Sequence, residues 1–381
     1  MLKSIKRIGD TMFKTYFKRT SSVVTAIICT VTVGCADVNI DNLDNTNKAT
    51  KPKGLNIHII DVGQGESTLL ECDNEYMLID FGESDKGDDV LEYLKKYNVD
   101  KLEYAVLTHP HSDHFGGMQE VLQGVDVENI IIGDAYSTTY KWEQLVDYLI
   151  DEHKDKVISP KSYDTFKIGD CTLTAYVPYD YEDNLNNASI MLKANYKGMR
   201  ALLTGDAEKL AEEQAIENGF DVSANVLSAG HHGSSTSTCK TFFEKTNPQL
   251  ALISCGKDND YGHPHREITT LFKENNVPYF RTDQQGSIVV NMLDNKISVS
   301  TENGYKKEIT IDKERVNTPD SHSTDKQAKN YIGNKNTKIV HKKDCSSINN
   351  IKEENKVFFS SYGSALSQGY KLCARCDQYE N

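Results

Sequence analysis

Three histidines and an aspartate fall within six residues, at His109, His111, Asp113 and His114, directly after the apolar run Ala105, Val106, Leu107. This stretch constrains the fold more than any other. A strand that ends in such a turn aims its polar side chains into one mouth, so a sheet edge must lie beneath that mouth. Imidazole and carboxylate suit zinc and related divalent ions, and a catalytic site of this kind keeps a position open for water. A polar loop with chance histidines is the alternative, but His-x-His-x-Asp-His after a strand is a demanding pattern.

Four other stretches share the same logic, a polar cluster just past an apolar run. Asp61 to Ser67 ends the first expected strand, with Gly63 and Gly65 allowing a tight turn. Asp206 follows Leu202 and Leu203. His231 and His232 follow Val226 to Ala229, with Ser234, Ser235 and Thr236 behind them. His263 and His265 flank Pro264. Taken alone, Asp206 reads as a helix N-cap and His263 as a loop residue. Together they describe a polar rim at one end of a layered α/β fold. Strands are expected at 55–62, 67–71, 76–80, 129–132, 188–194, 199–203, 226–229 and 250–254, with hairpins at 166–177 and 288–300. Helices are expected at 88–97, 142–150, 207–218, 240–245 and 268–275. That order indicates two packed sheets covered by helices.

These stretches, with Tyr76 to Gly82, Asn187 to Leu192 and Arg281 to Asp283, resemble the metallo-β-lactamase superfamily, and within it the hydrolase domain of the ComEC/Rec2 competence proteins. The resemblance implies an αββα sandwich holding two divalent metals, zinc or manganese. By that resemblance His109 and His111 bind one metal, Asp113 and His114 the other, Asp206 bridges both, and His231 completes the second. His232 is the rival for that ligand or a catalytic neighbour. Asp113, His232 and His263 are the candidate catalytic residues: Asp113 for the proton of a metal-activated water, the two histidines for the leaving oxygen. The superfamily often has a further histidine ligand before the bridging aspartate. His153, on an expected helix, fits that role badly, and Asn187 and Ser189 stand near its place.

The ends of the chain read differently. Six basic residues between Lys3 and Arg19 precede an uncharged, mostly apolar run from Ser21 to Val33 and then Gly34-Cys35. Residues 1–35 are therefore expected to be an export signal, too short for a comfortable membrane span. The Gly-Cys ending resembles a bacterial lipobox, which implies lipidation of Cys35 and membrane attachment on the outer side; a plain secretory signal is the alternative. Residues 36–53 form an expected flexible tether, 54–304 the hydrolase domain, 305–330 a linker and 331–381 a small second domain. In that last segment one His-x3-Cys, His341 and Cys345, and one Cys-x2-Cys, Cys373 and Cys376, supply four ligands for a tetrahedral structural zinc. A disulfide between Cys373 and Cys376 is the alternative. The segment resembles the small zinc-binding module of the Ada DNA-repair type. Cys72, Cys171, Cys239 and Cys255 are expected as free thiols.

The formal net charge is −13, and removing residues 1–34 takes away six positive charges and one negative, leaving the rest near −18. That balance excludes a broad basic face for nucleic acid. Lys342, Lys343, Lys371 and Arg375 form only a local basic patch. The resemblances imply an exported, metal-dependent phosphodiesterase with DNA as substrate. Hydrolysis of a phosphorylcholine ester, lactone or β-lactam shares the same metals, and a non-catalytic DNA-capture lipoprotein is the third reading. Nothing in the sequence identifies a protein partner.

Overall fold

Alternation along the strands decides the layers. In LNIHI, Leu55, Ile57 and Ile59 share one face while Asn56 and His58 share the other. The computed structural model describes residues 53–179, 181, 183–311, 331–343, 345–359, 365 and 369–377. The expected signal with Cys35, the tether up to residue 52 and the linker from 312 to 330 lie outside the described residues.

In chain order the strands are Leu55–Ile59 (β1), Thr68–Cys72 (β2), Glu75–Ile79 (β3), Lys101–Leu107 (β4), Asp126–Ile132 (β5), Val157–Ile158 (β6), Thr165–Ile168 (β7), Cys171–Tyr176 (β8), Met191–Tyr196 (β9), Met199–Leu203 (β10), Val226–Ser228 (β11), Leu250–Ile253 (β12), Tyr279–Arg281 (β13), Ile288–Leu293 (β14), Lys296–Thr301 (β15) and Lys306–Thr310 (β16). The helices between them are Gly87–Lys96 (α1), Ser112–Phe115 (α2), Met118–Gly124 (α3), Tyr140–Glu152 (α4), Lys209–Glu217 (α5), Lys240–Thr246 (α6), Arg266–Glu274 (α7) and Thr282–Gln285 (α8). One sheet has nine strands in the order β16-β15-β14-β1-β2-β3-β4-β5-β6, and the other has seven in the order β13-β12-β11-β10-β9-β8-β7.

The sheets face each other across one core, where Leu55, Ile57, Leu70 and Met77 meet Leu173, Ala194, Ala201 and Leu252. Helices cover both outer faces. Val90 and Leu94 of α1 and Leu145 of α4 bury against Leu78 and Leu102; Ala211 and Ala215 of α5 against Leu202 and Leu227; Ile268 and Phe272 of α7 against Ala251 and Ile253. Helix α1 shows why such helices form: Val90, Tyr93 and Leu94 make the buried stripe, Asp88 and Asp89 favour its first turn and Lys95 and Lys96 its last. The result is the expected αββα sandwich. Strands β3 to β6 run parallel, as do β10 to β13. Ligands bind α/β sheets outside the carboxyl ends of such strands.

Two local expectations change. The strand expected from 188 begins at Met191, because Leu185–Ala188 is a 3-10 turn whose Asn186 N–H donates to the Asn184 side chain. The linker expected from 305 begins later, because β16 pairs with β15, setting Ile309 opposite Ile297. Its other residues are polar because its outer face is wet, which hid it among linker residues.

The tail has its own four-stranded sheet, from Tyr331–Asn334 (β17), Ile339–Lys342 (β18), Lys356–Phe359 (β19) and Lys371–Leu372 (β20), in the order β19-β17-β18-β20, followed by Ala374–Asp377 (α9). Val340, Phe359, Ala365 and Tyr370 form its core. A Cβ at Gly333 would lie 2.6 Å from Tyr370 Cε1 and 2.7 Å from Phe359 Cε2, so only glycine fits beneath those rings.

Candidate metal centre

The mouth is assembled where strands from both sheets end. At the end of β3, the buried Asp80 accepts the Thr108 N–H at 2.8 Å and the Thr108 hydroxyl at 2.7 Å, pinning the turn that leaves β4. At the end of β10, Gly205 takes a positive φ of 51°, and a Cβ there would sit 2.9 Å from Thr108 Oγ1. The two sheets touch at this glycine, which brings Asp206 beside His109. The Asp206 N–H donates to Ser189 Oγ at 3.1 Å. Past β11, His231 and His232 both adopt left-handed backbone, with φ of 51° and 55°, and their rings part company.

Asp206 sits between two groups of donors. One comprises His109, His111 and Asp206; the other comprises Asp113, His114, Asp206 and His232. His109 Nε2 lies 3.8 Å from Asp206 Oδ2 and 3.0 Å from His111 Nδ1. On the other side His114 Nε2 is 3.2 Å and His232 Nε2 3.5 Å from Asp206 Oδ1, and His232 Nε2 is 3.3 Å from Asp113 Oδ2. His114, His232, His109 and Asp206 are all buried. Among the described residues, His114 Nε2, His232 Nε2 and Asp206 Oδ1 make no well-formed hydrogen bond although each is fully enclosed. Buried polar atoms are rarely left so, and three converging on one point fit a cation held between them.

The rings are oriented from behind. His114 Nδ1 is 2.7 Å from Asp80 Oδ2, and His232 Nδ1 is 3.0 Å from the Ser254 carbonyl, so both present Nε2 to the centre. Burial opposes the charged form of His114, but Asp206, Asp80 and Asp113 overcome it and hold its pKa well above the usual range. His232 is likewise opposed by burial but lifted to about 9 by Asp206 and Asp113. Burial opposes ionisation of Asp206, yet His114 and His232 hold its carboxyl well below the usual carboxylate range. For Asp113 burial is again outweighed, by His114 and His232, and its pKa falls. Burial pushes His109 well down, and His114 adds to that. Carboxylates and imidazoles thus alternate around the centre, a donor set that suits divalent cations.

The structure brings together His109, His111, Asp113, His114 and Asp206 as expected but exchanges the two histidines that follow β11. His232, not His231, joins Asp113 and His114. The His231 ring turns to the rim, with Nδ1 3.2 Å from Glu208 Oε1 and Nε2 3.7 Å from Asp206 Oδ2. His263 belongs to neither group. Its ring centroid lies 5.4 Å from His231 and 6.1 Å from His232, and Gln64 Nε2 is 3.5 Å from its Nδ1. Burial, with His232 and His231, lowers its pKa to about 4, leaving it a neutral hydrogen-bonding group rather than a proton donor. His153 caps the end of α4 and pairs with the Tyr148 hydroxyl at 3.0 Å. Asn187 accepts the N–H groups of Glu208 and Ala211 through Oδ1. Sequence reasoning missed Asp80, Glu66 and Glu208. Glu66 is fully buried within reach of Asp80 and His114, and desolvation with the Asp80 charge raises it to about 7. A carboxylate directly after a strand, as in Met77-Leu78-Ile79-Asp80, was the available signal for Asp80.

In the tail, His341, Cys345, Cys373 and Cys376 converge. Cys345 Sγ is 3.5 Å from His341 Nδ1 and 3.9 Å from Cys373 Sγ, and Cys373 Sγ is 3.4 Å from Cys376 Sγ. The sulfurs stand beyond the ~2.05 Å of a disulfide and at the spacing of ligands around one ion. The alternative disulfide is not present, and Cys72, Cys171, Cys239 and Cys255 are free. Burial opposes ionisation of Cys345, but the Ser347 N–H and His341 lower its pKa to about 6, and thiolate is the form that binds zinc. Lys343, Lys371 and Arg375 are exposed beside this site.

Comparison with known proteins fits both centres. A family model described as Metallo-beta-lactamase superfamily matches residues 60–257, and one described as Metal binding domain of Ada matches residues 319–378. ComE operon protein 3 of Bacillus subtilis is 30% identical over 251 residues, covering 61% of this chain and 32% of that protein. Recombination protein 2 of Haemophilus influenzae is 26% identical over 260 residues, covering 64% of this chain and 29% of that protein. The chain thus spans about a third of the length of the curated relatives it matches. Among solved structures, the metallo-beta-lactamase fold protein YhfI from Bacillus subtilis aligns with a TM-score of 0.42 at 13% identity, covering 68% of this chain and all of that one.

Proposed function

Because this chain belongs to the metallo-beta-lactamase superfamily and carries an Ada-type metal-binding domain, we propose that it is a metal-dependent hydrolase of nucleic-acid phosphodiesters, with DNA as its substrate. The observation that carries this reading is the pair of donor groups sharing Asp206, with His114 Nε2, His232 Nε2 and Asp206 Oδ1 enclosed and facing one another without a well-formed hydrogen bond among the described residues. His109, His111 and Asp206 would hold one divalent ion; Asp113, His114, Asp206 and His232 the other. Ions there supply Lewis acidity toward a phosphoryl oxygen and lower the pKa of water from 15.7 to about 7.

The chain's own residues prepare that site. Asp80 and the Ser254 carbonyl hold His114 and His232 in one tautomer. Asp113 is half-buried at the edge of its group and stays ionised, which suits it to orient an incoming water. His263 and His231 line the rim, where imidazole can hydrogen-bond a phosphate or a leaving oxygen. Tyr261 is 67% exposed and its ring stacks over His263 at 5.6 Å and 20°. An exposed aromatic beside the mouth suits a nucleobase, since bases stack on such rings without sequence preference. The name of one relative, a recombination protein, favours DNA over a lactone or β-lactam. The acidic chain favours brief, local engagement over tight, extended binding.

The purified chain should cleave linear DNA and bis-p-nitrophenyl phosphate with Mn or Zn, leave nitrocefin intact, and lose both activities as Asp113→Asn. Nitrocefin turnover without DNA cleavage would reverse the substrate assignment. Cleavage that survives in Asp113→Asn would remove this mouth from the reaction. Export with a lipid on Cys35 is supported by the basic and apolar runs before it; no helix among the described residues is long and apolar enough to cross a membrane. Cys35→Ser should move the protein out of the membrane fraction.

A further inference from the structure

Three close approaches fix how the two sheets lie over one another at the mouth. A Cβ at Gly256, past β12, would sit 2.6 Å from the backbone nitrogen of Gln64, past β1. One at Gly205, past β10, would sit 2.9 Å from Thr108 Oγ1, past β4, and one at Gly133, past β5, 3.6 Å from Ile190 Cδ1, before β9. Strands β1, β4 and β5 follow in that order across one sheet, and β12, β10 and β9 in the same order across the other. The loops after β12 and β5 therefore stand at opposite ends of the mouth, with the donor groups between them. Each loop carries an exposed ring. At the β12 end Tyr261 stacks on His263, whose centroid is 6.1 Å from that of His232. At the β5 end Tyr136 is 54% exposed and meets Trp142 at 6.4 Å and 85°. Trp142 and Ala135 wall one small cavity with His109 and Pro110, so Tyr136 adjoins the His109 side of the mouth. Helix α4 adds a charge there. Lys141 Nζ donates to Ser84 Oγ at 2.8 Å, and Glu83 accepts from Ser84 Oγ at 3.1 Å and Ser112 Oγ at 2.9 Å, which ties this ammonium to the turn carrying His111 and Asp113. The hydrogen-bond partner of Lys141 is a hydroxyl, which leaves its charge to meet a phosphate.

We infer that a polynucleotide strand crosses the mouth from end to end, with one unpaired base on Tyr261, another on Tyr136 and a phosphate at Lys141, and that it is cut internally, without need of a free end. This inference rests on the phosphodiesterase reading of the preceding subsection. Stacking platforms accept any base, and cations between them track the backbone. The scissile phosphate lies over the donor groups, and each ring holds the strand on its own side of it. Cleavage adds one water across a phosphorus–oxygen ester bond, leaving a phosphate monoester on one fragment and a hydroxyl on the other. A paired base keeps its faces within the duplex, so the strand that crosses is single at this point.

The full chain with Mn2+, given circular single-stranded DNA, tests this: the circle should be opened. On a linear oligonucleotide Tyr136→Ala should lower kcat/KM at least about fivefold, chiefly through KM, and Tyr136→Phe should keep it. On an oligonucleotide of the same length made wholly of abasic residues, wild type and Tyr136→Ala should act alike, because the substitution and the missing bases remove the same contact. A merely structural role for Tyr136 would penalise both substrates. Lys141→Gln should weaken both, since it meets the backbone, and the loss should shrink with added salt. Digestion of linear DNA with the circle left intact would overturn the inference, as would a Tyr136→Ala penalty that persists on abasic DNA or is absent from both substrates. Hydrolysis of bis-p-nitrophenyl phosphate beside an intact circle strikes this inference alone; hydrolysis of neither strikes the phosphodiesterase reading with it.

Discussion

The mouth and the tail both gather metal-binding side chains, yet they are held together by different means. At the mouth the donors come from the turn after β4, the loop after β10 and the turn after β11, which lie between His109 and His232 in the chain. Asp80 pins Thr108 and His114, Ser189 holds the Asp206 backbone, and the Ser254 carbonyl holds His232. Two sheets and their helices stand behind these contacts, so the arrangement exists before any ion arrives. In the tail, four ligands converge over a core of Val340, Phe359, Ala365 and Tyr370 among the described residues. So small a domain needs a staple. Four closed donors rich in sulfur mark a structural site, whereas mixed oxygen and nitrogen donors with room beside them mark a catalytic one. One region shapes a metal; the other is shaped by it.

The largest effect should follow from that asymmetry. Chelation of zinc, or Cys373→Ser, should unfold residues 331–377 while the sandwich keeps its cooperative melt. Structural zinc contributes about 10–16 kcal/mol of apparent folding free energy in zinc-finger peptides near pH 7. Limited proteolysis with mass readout checks it: cuts should appear in the tail alone. A tail that resists protease without zinc would erase the contrast. Next in size is Asp206→Ala. Removing the shared carboxylate should empty both positions at the mouth and lower hydrolysis more than about 100-fold, with the tail zinc retained on metal analysis. Loss of one ion only would show that Asp206 does not serve both groups.

The sequence disclosed the parts of the mouth that chemistry makes local. His109, His111, Asp113 and His114 sit in six residues after a strand, and the alternation of β1 and the stripe of α1 reveal the layers. It concealed what only the pairing of distant strands creates. His231 and His232 are adjacent and chemically identical, and the left-handed backbone that turns one to the rim and the other inward has no signature in His-His. Asp80 is an ordinary carboxylate after a strand until β4 is laid beside β3. The tail was more legible because all four of its ligands are of diagnostic types.

A third effect lies in the scaffold that makes the mouth independent of metal. Glu212 of α5 is fully buried and accepts the N–H groups of Thr238 and Cys239, fixing the loop that follows His232. Desolvation raises its pKa to about 7, against the pull of those two N–H groups. The folded state therefore binds this proton more tightly than the unfolded chain, and its stabilising contribution is complete below pH ~4.5 and fades as pH rises to about 7. The change is on the order of 3 kcal/mol. Denaturant melts of the zinc-loaded chain should show the main transition weakening across that window, and Glu212→Gln should flatten the slope. An unchanged slope would mean that this carboxylate does not set the pH response of the loop.

The smallest effect is the most pointed test of preorganisation. Asp80 Oδ2 accepts from both His114 Nδ1 and Thr108 Oγ1, and Oδ1 accepts the Thr108 N–H. All of its oxygen capacity toward the mouth is committed, and its burial is complete. Asp80→Asn keeps the shape but replaces one acceptor with a donor. If the amide nitrogen faces His114, Nδ1 must give up its proton to accept, which places a hydrogen on Nε2, the atom aimed at the centre. If it faces Thr108, the N–H at the end of β4 loses its partner and the turn loosens. Either way the Asp113–His114–His232 position should lose about 10- to 100-fold in Mn2+ or Zn2+ affinity, the range for partners that orient a ligand from behind. Competition titration against a chromophoric chelator measures it. The tail zinc should not move, since Cys345 and Cys373 donate their N–H groups to Lys342 and Val340 of the tail itself. Unaltered affinity at the mouth would mean that its ions, like the tail's, do their own arranging, and the contrast between the two regions would rest on donor type alone.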